Sequence, residues 1–312
     1  MQKKKLRGIT PFNDCWFRTC YYHQLIAALS YFGVPAEQVI LNSEFKVLSA
    51  NGWNDFAYEE KNIISDDDFA EWTGVKLHRH NAEYVIDAAI KGIDANRPVI
   101  VGQDNFCLPQ RKAMYRKQHC AHFILIYGYN RKERTFTVCE HEYINSYDFC
   151  EKTMPFEVLE EAYNGFRNEF KDFKWSVMEF GKLDSPLPFL QKARISEKIF
   201  ETYRARDYSS YMAPYRLMEK ISSENAEDAW KTYNVFAQLF RTLETQCKTF
   251  FGNAELCEKL NGLWRRAQFV SAVACKAVVC KDLKYLTPDV LQVKIGEMEI
   301  LMQEVAELAR CL

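Results

Sequence analysis

One stretch constrains the fold more than any other: His122-Phe123-Ile124-Leu125-Ile126-Tyr127-Gly128-Tyr129-Asn130, followed by Thr135 to Glu140. Between the two runs lies only the polar segment Asn130-Arg131-Lys132-Glu133-Arg134. Two apolar, β-branched and aromatic runs joined by so short a link pair antiparallel, because a parallel pair needs a crossover of about a dozen residues or more. Around this hairpin the first ~180 residues mix short strand and helix patterns. Pro98 to Gly102 reads as a buried strand, Phe45 to Leu48 and Val75 to His78 as shorter ones, and Trp175 to Phe180 as the last. Helices are expected over Cys20 to Phe32, Ser65 to Thr73, Ala82 to Ile93 and Pro155 to Tyr163. Gly33 ends the first of these as a C′ residue; Ser65 caps the second, with Asp66, Asp67 and Asp68 in its first turn.

The pattern changes at Asp184-Ser185-Pro186-Leu187-Pro188. Beyond it, Ala226 to Phe251, Ala254 to Val279 and Pro288 to Leu312 read as long amphipathic helices. The expected architecture is therefore α+β: a mixed domain over 1–184 and an all-helical domain over 185–312.

A formal net charge of -1 gives no electrostatic reason for nucleic acid or an anionic membrane to be the partner. The basic start, Lys3, Lys4, Lys5 and Arg7, has no apolar segment after it and reads as a solvated tail, not a signal peptide. No run of ~18 apolar residues is present to span a bilayer. The 11 cysteines are odd in number and scattered, and Cys139, Cys247, Cys275 and Cys280 fall inside strand or helix patterns. Reduced thiols in a cytoplasmic protein are expected.

Chemistry concentrates at Cys20. A thiol at a helix start meets unpaired backbone N–H groups and the positive end of the helix dipole, which favour the thiolate. His122, about a hundred residues on, is a candidate base. It opens a strand whose partner strand ends at Glu140, so the fold can set a carboxylate beside the imidazole. Asn13 and Asp14, just upstream, together with the N–H of Cys20, are candidates for stabilising an oxyanion. The same residues have plainer readings. Cys20 can be a packed structural thiol. His23, on the Cys20 helix face, reads as a structural histidine. His119, Cys120, His122, Cys139 and His141 crowd two strands, yet no C-x-x-C pair accompanies them, so no metal is expected.

The layout is that of a papain-like cysteine enzyme, and three blocks make the resemblance specific. Thr19 to Gly33, with Cys20 thirteen residues before Gly33 and ending Tyr31-Phe32-Gly33, resembles the nucleophile helix of bacteriocin-processing cysteine peptidases and of the butirosin-biosynthesis protein H family. Arg97 to Pro109 resembles the latter family, as does His119-Cys120-Ala121-His122 with Gly128-Tyr129-Asn130. The resemblance implies a papain-like acyltransferase that moves an acyl group from a carrier-protein thioester to a small amine in natural-product assembly. Cys20 would be the nucleophile, His122 the base and Glu140 the orienting acid. The family shows an aspartate at this last place, so Asp148 and Asp104 are alternatives. No cofactor is implied, because phosphopantetheine arrives on the acyl or peptidyl carrier protein.

A cysteine peptidase or thioesterase uses the same triad, and a non-catalytic papain-like binding module is a further alternative. In the helical domain, Arg265-Arg266 and the Arg204 and Arg206 pair are candidates for docking an acidic carrier. Trp16-Phe17 and Trp53 to Tyr58 are candidate walls for the site, with core packing as their other duty.

Overall fold

The computed structural model describes residues 2–14, 18–141, 148–183, 189–286 and 288–312. Cys15, Trp16, Phe17 and the Asp184 to Pro188 linker lie outside the described residues. The elements run β1 (Lys3–Lys5), α1 (Cys20–Ser30), α2 (Ala36–Leu41), β2 (Glu44–Ser49), β3 (Ala57–Lys61), α3 (Asp66–Thr73), β4 (Val75–His80) and α4 (Val85–Asp94). There follow β5 (Val99–Asp104), β6 (Ala121–Asn130), β7 (Thr135–His141), β8 (Phe149–Pro155), α5 (Phe156–Glu169) and β9 (Val177–Lys182). The helices α6 (Phe189–Arg204), α7 (Ala213–Arg216), α8 (Ala226–Gln246), α9 (Ala254–Cys280) and α10 (Pro288–Arg310) complete the chain. No helix among the described residues is long and apolar enough to cross a membrane. Every described cysteine is a free thiol.

The expected α+β class holds. The chain forms two compact units, one of residues 1–39 and 65–192, the other of residues 40–64 and 193–312. This corrects the division at 184, because the hairpin β2–β3 belongs with the helices and not with the strands that flank it in sequence. Phe45 and Trp53 join the helical core beside Tyr211, Tyr233, Phe236 and Leu243. Backbone groups follow them: the Tyr211 hydroxyl donates to Phe45 O at 2.8 Å, and Gln246 Nε2 donates to Ile40 O and Ser43 O at 3.0 and 3.1 Å. Trp53, Phe56 and Tyr58 pack edge-on or tilted against Tyr233 and Phe236, so their duty is core packing.

In the first unit six strands of a seven-stranded antiparallel sheet run β4-β9-β5-β6-β7-β8, and the seventh, β1, pairs with β6 off this path. The expected hairpin is there, Leu125 facing Cys139 and Asn130 facing Thr135. The basic tail is corrected: Lys3–Lys5 is a strand paired with Asn130 to Gly128 of β6. Backbone pairing is indifferent to side-chain charge, and β5 stops pairing at Ile126, leaving that edge of β6 open. Gly128 permits the approach, since a Cβ there would lie 3.2 Å from Lys4 O. The lysines then find partners, Lys4 Nζ on Asp94 O at 2.9 Å and Lys5 Nζ on Glu151 at 2.7 Å. Ser65 caps α3 as expected, its hydroxyl accepting from Asp68 N at 3.1 Å.

In the second unit α8 and α9 pack side by side, with Phe236, Phe240, Leu256, Leu260 and Leu263 fully buried, and α10 adds Met298, Met302 and Val305. Of the arginines expected on a docking face, Arg206 is buried, Arg204 binds Leu312 O at 2.9 Å, and Arg266 pairs with Glu297 at 2.7 Å. Their charges serve the unit's own packing, and only Arg265 is exposed.

Candidate active site

Helix α1 begins at Cys20, as the sequence indicates. Thr19 stands in the N-cap position with extended backbone (φ -68°, ψ 163°), but its side chain makes no capping bond. The first-turn amides are thus left unclaimed by a cap, and Cys20 N–H, at the first helical position, has no intrahelical acceptor. The rest of α1 is anchored by an almost continuous buried run from Tyr22 to Leu29, which packs the helix against β6.

His122 is the second residue of β6, opposite Gln103 of β5. Since Leu125 faces Cys139, the pleat places Glu140 on the same side of the sheet as His122. The side chains meet: His122 Nε2 lies 3.0 Å from Glu140 Oε1, with His122 3% and Glu140 1% exposed. With Nε2 turned to the acid, the hydrogen bond between His122 and the half-buried Cys20 falls to Nδ1. Nucleophile, base and orienting carboxylate form one connected series.

The charges follow from these contacts. Burial opposes a Cys20 thiolate, but the charge and hydrogen bond of His122 and the N–H of Phe123 outweigh it and lower the thiol's pKa. Burial likewise opposes an imidazolium at His122; Glu140 and Cys20 overcome it and raise the pKa to about 9. Glu140 is held down to about 2 despite its burial, by His122, Arg111 and the N–H of His141. Both shifts favour a thiolate–imidazolium pair backed by a carboxylate, the state a cysteine nucleophile needs.

Arg111 is a member of the site that sequence reasoning missed. It approaches from the segment between β5 and β6, placing Nη2 2.5 Å from Glu140 Oε1 and 3.0 Å from His122 Nε2. Nothing in its neighbours Gln110 and Lys112 marks it out from the other basic residues of that segment. Phe123 N–H was missed too, because a backbone donor leaves no sequence signal.

The oxyanion candidates are placed differently from expectation. Asn13 spans to β8, accepting from Phe149 N at 2.8 Å and donating to Phe149 O at 3.2 Å. Asp14 is exposed, and an ionised carboxylate has no proton to donate. Cys20 N–H is the helix-start donor that remains. Of the alternative acids, Asp104 is fully buried but binds His119 Nδ1 at 2.5 Å, and Asp148 is exposed. His23 is structural: it is buried, with Nδ1 2.7 Å from Phe12 O. Next to the nucleophile, Tyr21 packs on Phe123 and Trp175, with ring centroids 5.6 and 5.9 Å apart.

Among the described residues one group has metal-ligand spacing, His122, Glu140 and His141, whose ligand atoms all lie within 4.8 Å of one another. The Arg111 guanidinium already sits on the Glu140 oxygen and beside His122 Nε2. A permanent cation there repels a divalent ion, so these residues do not fit a metal.

Residues 45–141 match the model of the family described as butirosin biosynthesis protein H, N-terminal. The relationship seen in the sequence blocks is thus found again, over a span that includes His122, Glu140 and Arg111 and begins after Cys20. Among solved structures, a C39-like peptidase described from Bacillus anthracis aligns with 14% identity and a TM-score of 0.36, covering 59% of this chain and 100% of its own. No curated protein matches the sequence.

Proposed function

We propose that this chain is a cysteine acyltransferase that makes an amide, taking an acyl group from a carrier-protein thioester and passing it to a small amine. The observation that carries the reading is the connected Cys20–His122–Glu140 series, with the thiol's pKa lowered and the imidazole's raised. The family match over 45–141 supports a role in natural-product biosynthesis.

In the first step the Cys20 thiolate adds to the donor's thioester carbonyl, and Cys20 N–H helps hold the oxyanion. Collapse expels the phosphopantetheine thiolate, which takes the proton from the His122 imidazolium. One thioester replaces another, so little free energy is lost and the acyl group stays activated. The amine then attacks the Cys20 thioester. His122, now neutral, takes the amine's proton, and Cys20 leaves as the thiolate, restoring the starting pair. Glu140 keeps Nε2 engaged throughout, so that Nδ1 faces the sulfur. Tyr21, Phe123 and Trp175 supply apolar surface beside the nucleophile, which disfavours water as the acceptor. The donor arrives activated, so the chemistry calls for no further cofactor, and a cytoplasmic setting suits a free nucleophilic thiol.

The test is intact-mass spectrometry of the protein mixed with a panel of acyl-loaded carrier proteins, with Cys20→Ala beside wild type. An adduct on wild type, absent from Cys20→Ala and discharged by added amine to an amide, is expected. Discharge by water alone would make the protein a thioesterase or peptidase. No adduct, together with a Cys20 inert to iodoacetamide, would leave a binding module.

A further inference from the structure

Glu140 is shared. Its Oε1 lies within hydrogen-bond distance of His122 Nε2 (3.0 Å), Arg111 Nη2 (2.5 Å) and His141 N (2.7 Å), while its buried Oε2 has no partner among the described residues. Arg111 is not a surface residue that drifted in. Its side chain is only 12% exposed. Its backbone is fixed on both sides, Arg111 N on Leu108 O at 2.9 Å, and Met114 N and Tyr115 N both on Arg111 O at 2.8 Å.

We infer that Arg111 is a positioning residue of the triad: it holds Glu140 in place and takes a share of the carboxylate's charge, so that His122 is oriented by the acid without being locked to it as an ion pair. The need for such a device follows from the two steps of the reaction. Before acylation the imidazolium is useful, because it stabilises the thiolate. After acylation the thiolate charge is gone, and the imidazole must be neutral to accept a proton from the amine. A buried carboxylate with no other partner would keep it protonated and idle. A guanidinium on the same oxygen weakens that pull and stays charged itself at every pH the protein meets.

Among the described residues, few charged and titratable groups face His122. They are Cys20 from α1, Glu140 and His141 from β7, Arg111 from the segment before β6, and Cys120, which just precedes β6; Gln103, opposite on β5, is uncharged. Arg111 is the permanent cation of this set.

The inference rests on the catalytic reading of Cys20 but not on the identity of the acyl donor, and its test needs no donor. His122 is titrated by NMR of protein carrying 13Cε1-labelled histidine, in wild type, Arg111→Met and Arg111→Lys, with iodoacetamide alkylation of Cys20 followed alongside. In Arg111→Met the His122 titration is expected to move up by about one pH unit or more, and in Arg111→Lys to stay near wild type. A solely structural role would lower the melting temperature and leave the titration of the folded protein where it was. That result overturns the inference, as does a Lys variant that titrates like Met. Should Arg111→Met not fold, Arg111→Gln, which keeps a donor for Glu140 and loses the charge, is held to the same outcome. If Cys20 is inert in wild type while the His122 titration still answers to Arg111, the catalytic reading falls and the positioning of the imidazole stands.

Discussion

Replacing Glu140 by Gln keeps the side chain's size and removes its charge from a site that is 1% exposed. The cost should depend on pH in a way that identifies the partner. His122 is raised from 6.5 to about 9 in the folded protein, so it stabilises the fold fully below 6.5 and loses that contribution as pH rises through 9. Glu140 is lowered from 4.5 to about 2, so its contribution is present above 4.5 and lost as pH falls through 2. Both windows are open near pH ~5.5, whereas at pH ~9.5 the imidazole is largely neutral. The lift at His122 corresponds to about 3 kcal/mol. It is the same contact that lowers Glu140, so the two must not be added. Cys20 also contributes to the lift at His122, so the carboxylate–imidazolium pair accounts for only part of it. Urea unfolding of wild type and Glu140→Gln at the two pH values is the assay. The variant should lose up to about 3 kcal/mol more at pH ~5.5 than at pH ~9.5, on top of a pH-independent loss from stranding Arg111. Equal losses at both would show that the carboxylate does not act on the imidazolium, and the charge assignment of the site would fail with it.

Asp104 is fully buried and accepts from Phe106 N at 3.0 Å, Cys120 N at 3.2 Å and His119 Nδ1 at 2.5 Å. Asp104→Asn should cost about 1–3 kcal/mol in thermal or urea unfolding and let the raised pKa of His119 fall; an unchanged His119 titration by NMR would contradict the pairing. In the helical unit the sulfurs of Cys247 and Cys257 lie 3.2 Å apart, short of the ~2.05 Å of a disulfide. Treatment with glutathione disulfide should join them, with loss of two hydrogens by mass and a bridged peptide on digestion. A wild-type mass unchanged, or changed equally in Cys257→Ser, would refute it.

What could be read from the sequence was whatever the side chains encode locally. The β6–β7 hairpin is written in two apolar runs and a polar turn, the start of α3 in Ser65, and the end of α1 in Gly33, which takes the left-handed φ of 84°. Cys20, His122 and Glu140 were legible because each stands at the edge of such an element. Three things were not. The β1 strand is three lysines whose pairing is entirely a matter of backbone groups. Phe45 and Trp53 are as apolar as any core residue, and nothing local says which core they join. Arg111 reads as one more cation in a basic segment until the fold brings it to an acid from another strand.

The hairpin of residues 44–61 has a consequence for how the chain is made. Its apolar partners, Tyr211, Tyr233 and Phe236, all follow residue 192. At roughly 5–20 residues per second of synthesis, Phe45 and Trp53 emerge about ten seconds or more before the helices that bury them. During that interval they are a sticky, unshielded pair on a growing chain. The unit carrying the nucleophile has to collapse around that excursion and leave it outside. Cutting the chain after the last strand would make the exposure permanent, so a fragment ending there should be a client for chaperones even if its own sheet forms.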